Sequence, residues 1–296
     1  MSSSFLEFMP SQAPAGEATE SVLPVMVTVE PTPEMSETER ELVKRLRTGR
    51  AALPVLPQVA ESALRLANDP DARINDLAEL VDTDPPIAAR FMSVANSVAY
   101  WRGLLTSSTQ SAIVRLGLAN TRDLLFQVVY AASSGGLKRY HSQVQKSFKR
   151  SVVAAVAART AARELEIESE YDYMSGLLHD IGEARIYRIL DGLPKCDDPK
   201  LVTELVQRYH SAAGAEVAMA WKLPTEIVDA CAAHHDLSAI GVPHVRLVMI
   251  ADAVVEALEA GRSPNLARFE SLLVDVSAAR RIIDLTKLAA AASVRP

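Results

Sequence analysis

The chain has 296 residues, 49% of them apolar and only 5% aromatic, with 12 glycines; that suffices for one large or two medium helix-rich domains. A formal charge of −6 is the wrong sign for a general nucleic-acid binder or for docking on anionic lipid. No apolar run approaches the ~18 residues of a membrane span, no basic-then-apolar leader opens the chain, and Cys196 and Cys231 form no C-x-x-C pattern, so the composition predicts a cytoplasmic protein with reduced thiols.

Residues 1–35 mix Ser, Pro, Glu and Thr without a sustained period and read as a disordered leader. Ser36 then stands three residues before Glu39, a capping-box spacing, and predicts a helix over 37–48 closed by Gly49. In LPVLPQVAESALRLANDP, Pro57 suits a first helical turn, and Val59, Ala63, Leu66 and Ala67 recur at helical spacing. INDLAELVDTDPPIAARFMSVANS reads as two short helices broken by Asp84-Pro85-Pro86, and Ser111–Tyr130 as a third helical block. Ser133-Ser134-Gly135-Gly136 is the clearest internal break and separates a first helical subdomain (36–134) from a second (137–296). Helices are predicted over 142–165, 169–190, 199–220, 224–235 and 243–259, and in pieces over 264–290. There is no period-two strand of useful length, so the predicted fold class is all-α.

The pair of short helices at 76–90 has a helix-turn-helix look. Its first helix is acidic (Asp76, Glu79, Asp82, Asp84), and the would-be reading helix offers only Arg90, so phosphate contacts would be repelled. DNA is not an expected partner.

The second half concentrates ligand-type side chains on faces that ought to be apolar. His179-Asp180 lies among Leu177, Leu178, Ile181 and Ala184, where a charged Asp180 needs a partner. His210 shares its face with Val206, Ala213, Gly214 and Val217, and the small Ala213-Gly214 pair suits close helix packing. His234-His235 close a helix opened by Pro224, a position that the helix dipole favours in any case. Asp252 lies with Val248, Met249 and Val255 and has nothing basic at i±3 or i±4. Each signal has an ordinary structural explanation. Together they put His or Asp from four helices where the helices should meet, which is how bundles build metal sites.

The order HD … H … HH … D resembles the HD superfamily of metal-dependent phosphohydrolases. The blocks LPVLPQVAESALRLANDP, ELVDTDPPIAARFMSVANS, SAIVRLGLANTRDLLF, GLLHDIGE and HSAAGAEVAMAWKLPTEIVDACAAHHD resemble, in succession, its signalling branch, the HDOD (HD-related output) domain, over about residues 40–258. The resemblance implies an N-terminal helical part packed on a five-helix HD-like core. It implies metal ligands at His179, Asp180 and Asp252, with His210, His234 and His235 as the further set that holds a second ion in related cyclic-dinucleotide phosphodiesterases. Two positions depart from the pattern. FKRSVVAAVAARTAA puts Arg150 where the first ligand His would stand, and a guanidinium has no lone pair to offer a cation. Glu183 replaces the Lys of the HDxGK motif. His141, nine residues from Arg150 and half a turn out of phase, is no substitute.

These departures predict a salt-bridged relic in which Arg150 pairs with Asp180 or Asp252 in place of an ion. The expected function is a non-catalytic, regulatory signal-transduction domain acting through contacts with signalling proteins, without a cofactor. The alternative is a metal-dependent phosphohydrolase using iron or manganese at the six His and Asp positions. A nucleotide near the His cluster is compatible with either reading.

Overall fold

The computed structural model describes residues 30, 32, 34–48, 62, 66, 73–132, 135–194, 198–261 and 264–293. Residues 1–29, 31 and 33 of the leader expected over 1–35 and most of the helix expected after Pro57 lie outside them, as does Cys196. Among the described residues every regular element is helical, as the all-α reading requires. None of these helices is long and apolar enough to cross a membrane.

Helix α1 (Glu37–Thr48) opens as its capping spacing predicts, the Glu39 amide donating to Ser36 Oγ at 3.1 Å. The Glu39 side chain does not close the box. It turns instead to accept from Tyr209 Oη (2.8 Å) and from Arg208, so α1 is fastened onto the second half of the molecule. Leu42, Val43 and Leu46 are buried there against Ile186, Ile189, Leu205 and Val206. The fully desolvated Arg185 reaches across to the Leu46 carbonyl (3.0 Å) and pairs with Glu216.

Helices α2 (Ile74–Asp82) and α3 (Pro85–Ala95) divide at the predicted Asp-Pro-Pro break. Asp84 caps α3 by accepting from the Ile87 amide, with proline in its first turn. A 3₁₀ turn at Val98–Tyr100 leads to α4 (Thr109–Ala132), which is bent at Gly117, whose φ of 78° is closed to most other residues. Past the Gly135-Gly136 turn comes α5 (His141–Glu164), the spine of the molecule. Six of its eleven buried residues are alanine (Ala154, Ala155, Ala157, Ala158, Ala161, Ala162), which lets neighbours approach on two sides. On one side it meets α6 (Asp172–Leu178), where the Gly176 α-carbon faces the Ala154 carbonyl; a β-carbon there would lie 2.7 Å from that oxygen. On the other it meets α10 (Pro243–Ala260) and α12 (Val276–Ser293).

Helices α7 (Ile181–Asp191), α8 (Pro199–Ala220) and α9 (Thr225–Ala233) complete the second half, with the short α11 (Leu266–Ser271) between α10 and α12. The two halves share one apolar core. Phe91, Ile113, Leu125 and Tyr130 pack with Val152, Met174, Leu177 and Ile227, and Tyr130 also packs edge-on against Phe148 and hydrogen-bonds Ser147 at 2.9 Å.

Candidate metal centre

The sequence predicts one helix over 169–190, but the chain breaks it at the residues of interest. His179 is the last residue of the α6 turn, and Asp180, at φ −98° and ψ 13°, leaves helical geometry before α7 begins. Two consecutive side chains on a continuous helix diverge by about 100°. The break brings both to one side, so that His179 Nε2 lies 3.1 Å from Asp180 Oδ2.

The other expected residues converge on the same point. His210 from α8 and His234 from the end of α9 each place Nε2 3.5 Å from Asp180 Oδ1. Asp252 from α10 places Oδ1 3.7 Å from His179 Nε2. His210 Nε2 stands 3.2 Å from His234 Nε2 and 3.0 Å from His235 Nε2. All six residues of the sequence reading are therefore in one cluster, five of them buried and His235 at its exposed edge.

Each buried imidazole is oriented by its own helix. The Nδ1 of His179 contacts the Gly176 carbonyl at 2.8 Å, that of His210 the Val206 and Gln207 carbonyls at 3.0 Å, and that of His234 the Ala230 and Cys231 carbonyls at 3.0 Å. A carbonyl only accepts, so Nδ1 must carry the proton, and in a neutral ring Nε2 is left with a lone pair. Three or four lone pairs then face one another and two carboxylates across a buried space. That arrangement is unfavourable unless a cation or added protons lie among them.

The electrostatics show protons partly answering this need. Burial alone would depress His179, but Asp180 and Asp252 outweigh it and hold the imidazole well above its usual range. Burial would raise the two carboxylates; His179 instead pulls Asp180 well below the carboxylate range and Asp252 down to about 2. His210 and His235 go the other way. Burial and the neighbouring imidazoles lower both, His235 to about 4.

The residues also fit a divalent ion. His179 Nε2 is buried without a hydrogen bond of good geometry, and the donor set is imidazole and carboxylate, suited to zinc, iron or manganese. Two sets of three converge closely enough to serve one ion each: His179, Asp180 and His234, and His210, His234 and His235. Nitrogens that share an ion at about 2.1 Å lie about 3.0–3.4 Å apart at adjacent octahedral or tetrahedral positions, close to the separations seen here.

Arg150 does not do what the sequence predicts. Its guanidinium pairs with Glu259 (3.4 Å) at the solvent side of α10, and among the described residues no carboxylate of the cluster lies within ion-pairing distance of it. The reason is reach and competition. Asp180 and Asp252 are already engaged by imidazoles, whereas Glu259, two turns beyond Asp252, is half exposed and costs less desolvation. Arg150 still feels the site. Burial would lower its pKa, and Glu259, Asp180, Asp252 and Glu183 together raise it. Glu183, beside Asp180 and near Ser147 and Arg150, is pushed up to about 7 by burial and by the Asp180 charge. His141 is exposed at the start of α5, away from the cluster.

Two contributors had no readable signal in the sequence. Arg268 on α11 approaches Asp252 Oδ2 at 3.8 Å and pairs with Glu256. Gly182 allows α7 to press its backbone against α8 at His210. Only the acidic run Asp252, Glu256, Glu259 along one face of α10 hinted that cations would gather there.

With this geometry in place, comparison with known proteins is direct. The fold is that of an HD-type helical protein. The chain superposes on a Shewanella amazonensis SB2B protein named as a metal-dependent phosphohydrolase (TM-score 0.65, 22% identity, 85% of this chain and 100% of that one). It also superposes on an HDOD domain protein of Geobacter sulfurreducens (TM-score 0.63, 22% identity, 87% and 96%). The HDOD domain profile matches residues 53–237, and the chain belongs to that family. Among curated sequences it is 27% identical over 241 residues to ribonuclease Y of Lactobacillus acidophilus, covering 80% of this chain and 36% of that protein. The chain spans between 22% and 38% of the length of these curated relatives.

Proposed function

We propose that this HDOD protein is a regulatory signal-transduction domain that works through contacts with other proteins and does not turn over phosphoesters. The observation that carries this reading is Arg150. It stands where the family resemblance puts the first metal ligand, offers no lone pair, and has its guanidinium drawn to Glu259. Glu183 adds to it, because a buried carboxyl near Asp180 lacks the positive charge with which a lysine would attract a phosphate.

The second reading, a metal-dependent phosphohydrolase, is favoured by the convergence of His179, Asp180, His210, His234, His235 and Asp252, which would hold the ion. A bound divalent ion would supply an acidified water and charge neutralisation. In this chain the cluster's own work is to hold protons and to tie α6, α8, α9 and α10 together at one point. A cation held there would serve the same architecture, and a nucleotide ligand is compatible with it.

The test is protein purified without chelator, assayed for iron, manganese and zinc and for hydrolysis of bis(p-nitrophenyl) phosphate, beside Arg150→His. The regulatory reading expects no turnover by the native chain. Metal-dependent turnover that vanishes in His210→Ala would overturn it.

A further inference from the structure

The loop after α3 is organised in an unusual way. Asn96 binds Thr106 reciprocally, Nδ2 donating to the Thr106 carbonyl (3.0 Å) and Oδ1 accepting from the Thr106 amide (2.8 Å). Arg115 from α4 donates to the Leu104 carbonyl (2.8 Å) and the Ala95 carbonyl (3.2 Å). Two polar side chains thus fix the loop from within while its apolar side chains face water. Val98 is 91% exposed, Leu104 77% and Leu105 72%, with Trp101, and Val114 and Leu118 of α4, also exposed. An unused loop of this kind would be polar, because exposed leucines gain nothing from being held in place.

The charge is as uneven as the hydropathy. Residues 85–122 contain four arginines and no acidic residue, in a chain whose net charge is −6. Arg122 is buried against Glu170 and Arg115 is engaged by the loop, which leaves Arg90 and Arg102 on this stretch. A hollow of about 160 Å³ opens beside it, lined by Arg90, Val94, Tyr100 and Leu116, with the Asp123–Arg159 ion pair also in its wall. That is room for one ring-sized side chain, since cavities of about 150 Å³ take benzene.

We infer that the 96–118 surface is a preorganised docking site for an acidic, amphipathic segment of a partner protein. The apolar side chains of that segment cover Val98, Leu104 and Leu105, one of them anchors in the hollow, and its carboxylates face the arginines. A second copy docking through the same face would set arginine against arginine. This names the partner chemistry for the regulatory reading above and rests on that reading.

The experiment uses the full chain and two fluorescein-labelled helical peptides of about 18 residues, alike on a Leu/Phe face and carrying either Glu or Lys on the other. By fluorescence anisotropy at about 50 mM salt, the Glu peptide should bind at least about 10-fold more tightly than the Lys peptide, and the preference should shrink at high salt. The double variant Leu104→Ser/Leu105→Ser, with an unchanged melting curve, should weaken binding about 10-fold, and Arg102→Glu should weaken it severalfold. Equal or better binding of the Lys peptide, no binding of either, or binding undiminished in the double variant would overturn the proposal. So would three reassignments: Leu104-dependent sedimentation with phosphatidylglycerol vesicles in place of peptide binding, a dimer dissolved by the double variant, or a peptide of residues 1–30 of this chain binding as well as the Glu peptide. Phosphoester turnover by the native chain would sink the regulatory reading without moving any of these outcomes. Failure of the peptide would remove this surface and leave that reading standing.

Discussion

Gly182 and His210 meet backbone to backbone: a β-carbon on Gly182 would lie 1.9 Å from the His210 carbonyl oxygen and 2.5 Å from the Gly214 nitrogen. Helices α7 and α8 touch there because no side chain intervenes, and the contact sets His210 against Asp180. Gly182→Ala must push the helices apart. The expected cost is about 3 kcal/mol, or roughly 6–12 °C in melting temperature for a protein of this size. Gly214→Ala meets its nearest atom at 3.3 Å and should cost much less. Thermal melts of the two variants check this, and a Gly182→Ala protein that melts like the native one refutes the close approach.

His234 belongs to both candidate ligand triads. Adding Mn²⁺ or Zn²⁺ to chelator-treated protein should raise the melting temperature, by about 2.7 kcal/mol of stabilisation at a hundredfold excess over Kd. His234→Ala should abolish the response to either ion. His141→Ala, outside the cluster, should leave it intact. A native chain that does not respond to any divalent ion would show that protons alone satisfy the cluster.

Glu183 makes a pH prediction. Its carboxyl is pushed from an ordinary 4.5 to about 7 in the folded chain. The folded state therefore binds this proton more tightly than the unfolded state does. Stability is highest below the unfolded value and falls as pH rises from about 4.5 to 7. The imidazoles and Asp252 titrate as well, so the contribution is read as a difference. With chelator present, Glu183→Gln should gain stability over the native protein as pH rises through this window, by up to about 3 kcal/mol, and little below it. Parallel stability curves for the two proteins would rule this out.

Arg185 is buried and joins three elements, reaching the Leu46 carbonyl of α1, the Ala213 carbonyl of α8 and the Glu216 carboxylate. Arg185→Ala leaves two carbonyls and a largely buried carboxylate without that donor, at a cost of about 3–5 kcal/mol. Amide exchange should rise first along α1, ahead of α5. Uniform exchange across the chain would mean that α1 is held by its leucines alone.

How much of this was legible beforehand differs from element to element. Asp84-Pro85-Pro86, Ser36 with Glu39, and the Gly135-Gly136 turn are local signals, and the helices begin and end where they say. The cluster was legible because a carboxylate such as Asp252 on an apolar stripe has few physical explanations. The break between His179 and Asp180 was not: Gly182 lowers the helical propensity of LLHDIG without marking where a helix stops, and the bend falls where side chains from three other helices converge. Arg150 could be read as a lost ligand, but not as the partner of Glu259. Ion pairing is settled by side-chain reach and by which carboxylates are already engaged, and neither is written in local sequence. The docking of α1 on α7 and α8 was hidden for the same reason, since its apolar stripe names no partner.

That docking has a topological outcome. The described chain starts on the body formed by the second half, leaves it for α2–α4, and comes back at α5. Helices α2–α4 are thus a guest spliced into a host, with both covalent connections ending on the same support. One connection runs to α1, and the other to the helix that bears Arg150. The return onto α5 puts a displacement of the guest one helix away from the histidine cluster, whose Asp180 and Asp252 act electrostatically on Arg150.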